Sequence, residues 1–163
     1  MQFKNKFNWC LKQGEKGEKH KGLKKIEPNL EEAEKQIKKA LSDLDTMEYL
    51  YKGNKTDWVA SAAFYAMYHS LLAILYKLGY ESRNQECTIN AIEYFIQLEI
   101  LKIDKDHIKM IRSLQETEDD AKKMREDMQY GSKTQMEKDK CRIIMNNAKK
   151  FVEKIRSVLE GLK

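Results

Sequence analysis

The chain has 163 residues, 41% hydrophobic and 35% charged, with a single proline and seven glycines. That length suits one domain with a short extension, and so few turn-forming residues exclude a sandwich or barrel, which uses Gly and Pro at its reversals. The formal net charge is +5, from 31 basic against 26 acidic residues; this balance permits phosphate contact, while most of the charges alternate as on solvated faces of long amphipathic helices.

Three cysteines, Cys10, Cys87 and Cys141, lie far apart and form no CxxC pair. They read as free thiols in a reducing cytoplasm, with neither a disulfide framework nor a zinc site expected. No His/Asp/Glu spacing matches a metal motif such as HExxH, so no metal and no cofactor is implied.

Residues 1–28 read as an N-terminal extension. Met1 to Leu11 mixes Lys, Asn and Trp without the apolar run of a secretory signal. Phe3, Phe7, Trp9 and Leu11 offer one short apolar anchor. The run Lys12 to Lys25 (KQGEKGEKHKGLKK) reads as a flexible basic linker, with His20 solvated among lysines.

Residues 29–163 carry the body, an all-α, antiparallel up-and-down bundle of about five helices. The first should start at Asn29, an N-cap with Glu32 three residues on. Leu30, Ala33, Ile37, Ala40, Leu41, Leu44, Met47 and Tyr51 make its stripe, and Gly53 stops it. The second runs from Thr56 or Asp57 to Leu78, with Gly79 as its stop. Its small residues Ala60, Ala63, Ala66 and Ser70 admit close neighbours. Its length approaches a membrane span of about 20 residues, but Ser61, Tyr65, Tyr68, His69, Ser70, Tyr76 and Lys77 fit a central bundle helix better, and no membrane partner is expected.

After the polar loop Tyr80 to Cys87, Thr88 could cap a third helix with Ile89, Ile92, Phe95, Ile96 and Ile100 inward. The fourth follows Asp104 and carries Ile108, Ile111, Leu114, Ala121, Met124 and Met128. Its stretch Gln115 to Asp120 (QETEDD) has no apolar residue, which predicts that the helix projects or breaks there. Gly131 and Ser132 end it. The fifth covers Thr134 to Leu159, with Cys141, Ile144, Met145, Ala148, Val152, Ile155 and Leu159 as its seam. No segment shows convincing strand alternation.

Three stretches carry a resemblance. Ala62 to Leu72 (AAFYAMYHSLL) resembles the signature helix of small prokaryotic HEPN domains. Gly79 to Thr88 (GYESRNQECT) and Arg125 to Gly131 (REDMQYG) look like the loop and the late helix of one branch of that family. The resemblance covers roughly Asn29 to Leu159. It implies a helical bundle that homodimerises. It also implies, in many members, a metal-independent ribonuclease, often a toxin paired with a minimal nucleotidyltransferase, and in others a module that has lost cleavage and binds a nucleotide, an RNA or a protein.

The family's nuclease motif separates an Arg from a following His by four to six residues, a cation for the phosphate and a base for the ribose 2′-OH. Beyond Arg125 the positions that should hold His are Tyr130, Gly131 and Ser132, and Arg83, Arg112, Arg142 and Arg156 also lack the partner. A tyrosine of ordinary pKa about 10 is a poor base near neutrality. The expectation is therefore a cytoplasmic, non-catalytic HEPN binding module, with a ribonuclease toxin of rearranged site (His69 as base, Arg125 as clamp) or a structural helical adaptor as alternatives.

The candidate ligand-binding residues are Tyr65, His69, Arg83, Glu86, Arg125, Asp127 and Tyr130. His69, one turn after Tyr65, is either a core histidine with a hydrogen-bond partner or part of a patch with Arg83, Arg125 and Tyr130. Arg83 and Glu86, just before a helix, make either a phosphate site or a salt bridge that fixes the loop. Arg125 and Asp127 read equally as a ligand clamp or a structural network. Tyr65, Tyr68 and Tyr76 could stack bases or fill the core. The resemblance also makes Tyr130 a candidate acceptor for nucleotidylation by the partner enzyme.

Overall fold

The computed structural model describes residues 2–127 and 137–162, and at 121, 122 and 124–127 the backbone alone. Among these the elements run α1 (Gln2–Gly14), β1 (Leu23–Lys25), α2 (Leu30–Lys52), a 3-10 turn (Thr56–Trp58), α3 (Val59–Leu78), β2 (Tyr80–Ser82), α4 (Gln85–Gln97), α5 (Lys105–Asp127) and α6 (Lys138–Gly161). The fold is all-α, of helical-bundle type, with one small two-stranded ribbon. There are six described helices where the periodicity predicts about five. The added one is α1, whose apolar positions Phe3, Phe7, Cys10 and Leu11 fall within the segment read as an extension.

The chain groups into two compact units, Met1–Ile37 with His69–Asp104 and Ile155–Lys163, and Lys38–Tyr68 with Lys105–Lys154. In the first unit the N-terminal residues are ordered structure rather than a loose linker. Cys10 and Cys87, both 1% exposed, form a disulfide with Cα atoms 5.7 Å apart, joining α1 to α4 across 77 residues of sequence. The reading of these two as free thiols is corrected. Their distance in sequence conceals a contact that only helix packing creates. Cys141 is free and buried. Around the disulfide, the Phe7 ring lies 4.7 Å from Tyr94, 5.4 Å from Phe95 and 5.8 Å from Tyr80 between centroids. Burial, and secondarily Tyr94, pushes the Tyr80 phenol above its ordinary value.

The supposed basic linker contains β1, which pairs antiparallel with β2, Leu23 facing Ser82 and Lys25 facing Tyr80. Three residues per strand are too few for alternation to show. Gly79 lets the chain reverse from α3 into β2. It holds φ +91° and its carbonyl accepts from Ile26 N–H at 2.9 Å, while a Cβ there would meet Ile26 O at 2.8 Å.

Helix ends follow local chemistry. Asn29 caps α2 as its sequence predicts, its Oδ1 accepting from Glu32 N–H at 3.0 Å. At the other end the left-handed residue is Asn54 (φ 60°), one position beyond Gly53, and Lys55 N–H closes onto Leu50 O at 2.8 Å. For α4 the cap is Asn84, accepting from Cys87 N–H at 3.0 Å, four residues before the expected Thr88. Thr88 sits inside the first turns, fully buried, its hydroxyl 2.7 Å from Ser82 Oγ. Ile100 falls beyond α4 and is 46% exposed, not inward.

In the second unit Ala40, Ala66 and Val152 form a fully packed centre with Leu41 and Leu44 against it. The α6 seam Cys141, Ile144, Met145, Ala148 and Val152 is buried throughout. The Cys141 thiol approaches Thr56 O at 3.7 Å, and burial raises its pKa despite the opposing pull of Lys140. Arg142 donates to Tyr51 Oη at 2.8 Å and Lys149 pairs with Glu48, tying α6 to α2. The segment Thr56–Leu78 is long and apolar enough to cross a membrane, yet 72% of its most apolar window is buried within the protein. Ala60, Ala63, Ala66 and Ser70 have no exposed surface, as close helix packing requires.

Candidate functional site

α5 runs unbroken through Gln115 to Asp120, contrary to the expected break or projection. The reason is Glu118. Its side chain turns inward to 3% exposure, and Ser61 Oγ on α3 donates to its Oε1 at 2.9 Å. A carboxylate on an inward stripe looks like a polar interruption in sequence. Only the facing hydroxyl of Ser61 shows it to be a partnered group. Serine three residues into an otherwise alanine-rich helix start was the available signal.

One turn along α3 from Ser61, Tyr65 is half-buried, its ring 5.6 Å from Phe64 and 6.5 Å from Tyr68. Nearby elements of the same unit line an open groove: Met67 from α3, Met110, Ser113, Leu114 and Thr117 from α5, Ile144 and Asn147 from α6. Its volume is about 90 Å³. Ligand pockets that bury a drug-sized molecule are roughly 300–1,000 Å³, so this groove is of a size for a side chain of a partner. Positions 125 and 127 lie on the last turns of α5, roughly 12 and roughly 15 Å along the helix from Thr117 at about 1.5 Å per residue. The side chains of Arg125 and Asp127, and all of Tyr130, lie outside the described residues.

The other candidates fall in the first unit. Arg83 is committed: its Nε donates to Glu81 Oε1 at 2.7 Å and its guanidinium donates to the Glu18 carbonyl. The same Glu81 oxygen lies 3.3 Å from His20 Nε2. His20 is not solvated but 3% exposed, and its Nδ1 accepts from Gly22 N–H at 3.2 Å. That backbone donor fixes the tautomer, leaving the ring proton on Nε2 to be given to Glu81. These contacts tie the loop through Glu81 rather than through Glu86, the acidic partner that the sequence suggests for Arg83. Glu86 is exposed in the first turn of α4. His69 is half-buried on α3 and has a partner of its own. Thus Tyr65 and His69 share one helix, and Arg83 joins His20, Glu81 and Glu18.

Among the described residues no group of three His, Cys, Asp or Glu side chains is arranged to hold a metal ion. A search of curated proteins finds none that matches. The family model of the HEPN domain matches residues 33–158, from the first turn of α2 into the last turns of α6. With more than three-quarters of its length matched, the chain belongs to the HEPN domain family.

Proposed function

We propose that this HEPN domain binds without cleaving, as a module for a nucleotide, an RNA or a nucleotidyltransferase partner. The observation that carries this reading is the absence of a histidine separated by four to six residues from any of the five arginines before it. The three histidines are placed elsewhere: His20 in the loop network, His69 on α3, and His107 in the first turn of α5 with its ring 6.1 Å from Phe151. Without the base beside the cation, the family's geometry retains phosphate attraction at Arg125 but loses activation of the 2′-OH. Arg125, late on α5, is the cation this reading assigns to phosphate, which makes the end of α5 the proposed recognition edge. A homodimer would present this edge twice, and Tyr130, five residues beyond Arg125 in sequence, is the residue offered to a nucleotidylating partner.

The test is thermal unfolding of the purified chain with nucleotide triphosphates and with a short single-stranded RNA, each beside Arg125→Ala. A ligand at a hundred times its Kd stabilises by about 2.7 kcal/mol, so a rise in Tm that Arg125→Ala abolishes is the expected result. Cleavage of the RNA in EDTA, lost in both His69→Ala and Arg125→Ala, would establish the ribonuclease instead.

A further inference from the structure

The first 25 residues carry eight lysines and two glutamates, an excess larger than the +5 of the entire chain. The rest of the protein is therefore close to neutral, and the basic excess belongs to α1, β1 and the loop between them. These residues precede the family match, which begins at 33. They are also firmly placed. α1 is held by the Cys10–Cys87 disulfide and by Phe7 in the aromatic cluster, and it meets β1 so closely that a Cβ on Gly14 would lie 2.0 Å from Leu23 O.

That docking uses one side of α1: Phe7, Cys10 and Gly14 are buried and Phe3 and Leu11 partly so. Trp9 is not among them. It is 55% exposed, on the opposite face, with Lys6 three residues before and Lys12 three residues after, both exposed. Gln2 and Asn5 complete the exposed surround, and α1 contains no acidic residue. The indole thus presents about half of its surface to water between two cations. A nucleobase can stack on the indole while lysines one turn to either side meet the flanking phosphates and amides contact base edges or ribose. An interfacial membrane helix needs a continuous apolar face, and here Trp9 is the one apolar side chain on the outward face. The face suits a single strand, whose bases are free to stack, better than a duplex.

We infer that the Lys6–Trp9–Lys12 face of α1 is a binding site for single-stranded RNA, separate from the α5 edge of the HEPN module. The test is fluorescence anisotropy of a fluorescein-labelled dodecauridylate titrated with the full chain from about 50 to about 200 mM KCl. Trp9→Ala should weaken binding on the order of tenfold and Trp9→Phe should restore most of it. Lys6→Gln with Lys12→Gln should lower the slope of log affinity against log salt by about 1.4. Unchanged far-ultraviolet circular dichroism in each variant confirms an intact fold. No binding by the wild-type chain, or binding that survives either variant unchanged, overturns the inference. So does Trp9-dependent binding confined to phosphatidylcholine vesicles with a quarter phosphatidylserine. Loss of the Arg125-dependent thermal shift with this binding intact would instead refute only the role of the α5 edge.

Discussion

Single side chains here report on burial that composition hides. Cys141 is fully buried and its thiol is raised from the ordinary 9.0, with desolvation the larger cause. A raised folded-state value favours the neutral form, so its contribution to stability is complete below pH 9.0 and is lost as pH climbs through the folded value. Tyr80, raised from 10.0, acts in the same direction at higher pH. Tm should thus hold steady up to pH 9.0 and fall beyond it, and Cys141→Ala should remove the earlier part of that fall in a pH series of melts. His20 makes a second test. Its replacement by Ala strands the Gly22 N–H and removes a partner of Glu81, which should cost about 1–3 kcal/mol in a urea titration. An unchanged midpoint would mean that the ring is not held as described. Neither role was legible in the sequence. A histidine among lysines gives no sign of its partner Glu81, 61 residues away, whereas Asn29 as a cap was legible because its partner lies three residues on.

Helices were legible where one stripe faced one core. α3 and α6 bury most of their expected apolar positions and α2 buries or half-buries its own apart from Leu30, which is exposed, while the described part of α5 buries Ile108, Ile111 and Leu114 and adds Glu118 at an inward position usually held by an aliphatic residue. α1 and the β1–β2 ribbon were missed because the disulfide, the aromatic cluster and the strand pairing that hold them are all long-range. The disulfide predicts its own weight. Closing a loop across 77 residues restricts the unfolded chain enough to stabilise by about 2–4 kcal/mol. Cys10→Ala with Cys87→Ala should therefore lower Tm by roughly 4–16 °C, and reductant should lower the wild type comparably but not the variant. At the end of α4, Ile100 N–H bonds Phe95 O at 2.9 Å and Glu99 holds φ 61°, the left-handed conformation of a Schellman turn. Glycine accepts that conformation freely, so Glu99→Gly should raise the unfolding free energy by about 0.5–1 kcal/mol in chemical denaturation. A loss of that size would show Glu99 to be held by contacts worth more than its backbone strain.

For the molecule as a whole, the fold class and the family could be read from one helix and two flanking motifs, while the site could not. Tyr65 and His69 share α3, but Arg83 turns to Glu81 and Glu18, a choice of partner decided by where β1 lays its neighbouring loop. The remaining members of the patch, the Arg125 and Asp127 side chains and Tyr130, lie outside the described residues, and their convergence stays a proposal. What the sequence does state directly is the missing histidine, and on it rests the idea of a HEPN domain that recognises without cutting. The 2′-OH attack that a base–cation pair promotes leaves a 2′,3′-cyclic phosphate on the upstream fragment. The most direct measurement is therefore mass spectrometry of a defined single-stranded RNA after prolonged incubation with pure protein in EDTA. Intact RNA, with no cyclic phosphate above a protein-free control, is the predicted result. Cyclic phosphate termini that rise with wild-type protein and vanish with Arg125→Ala would contradict it.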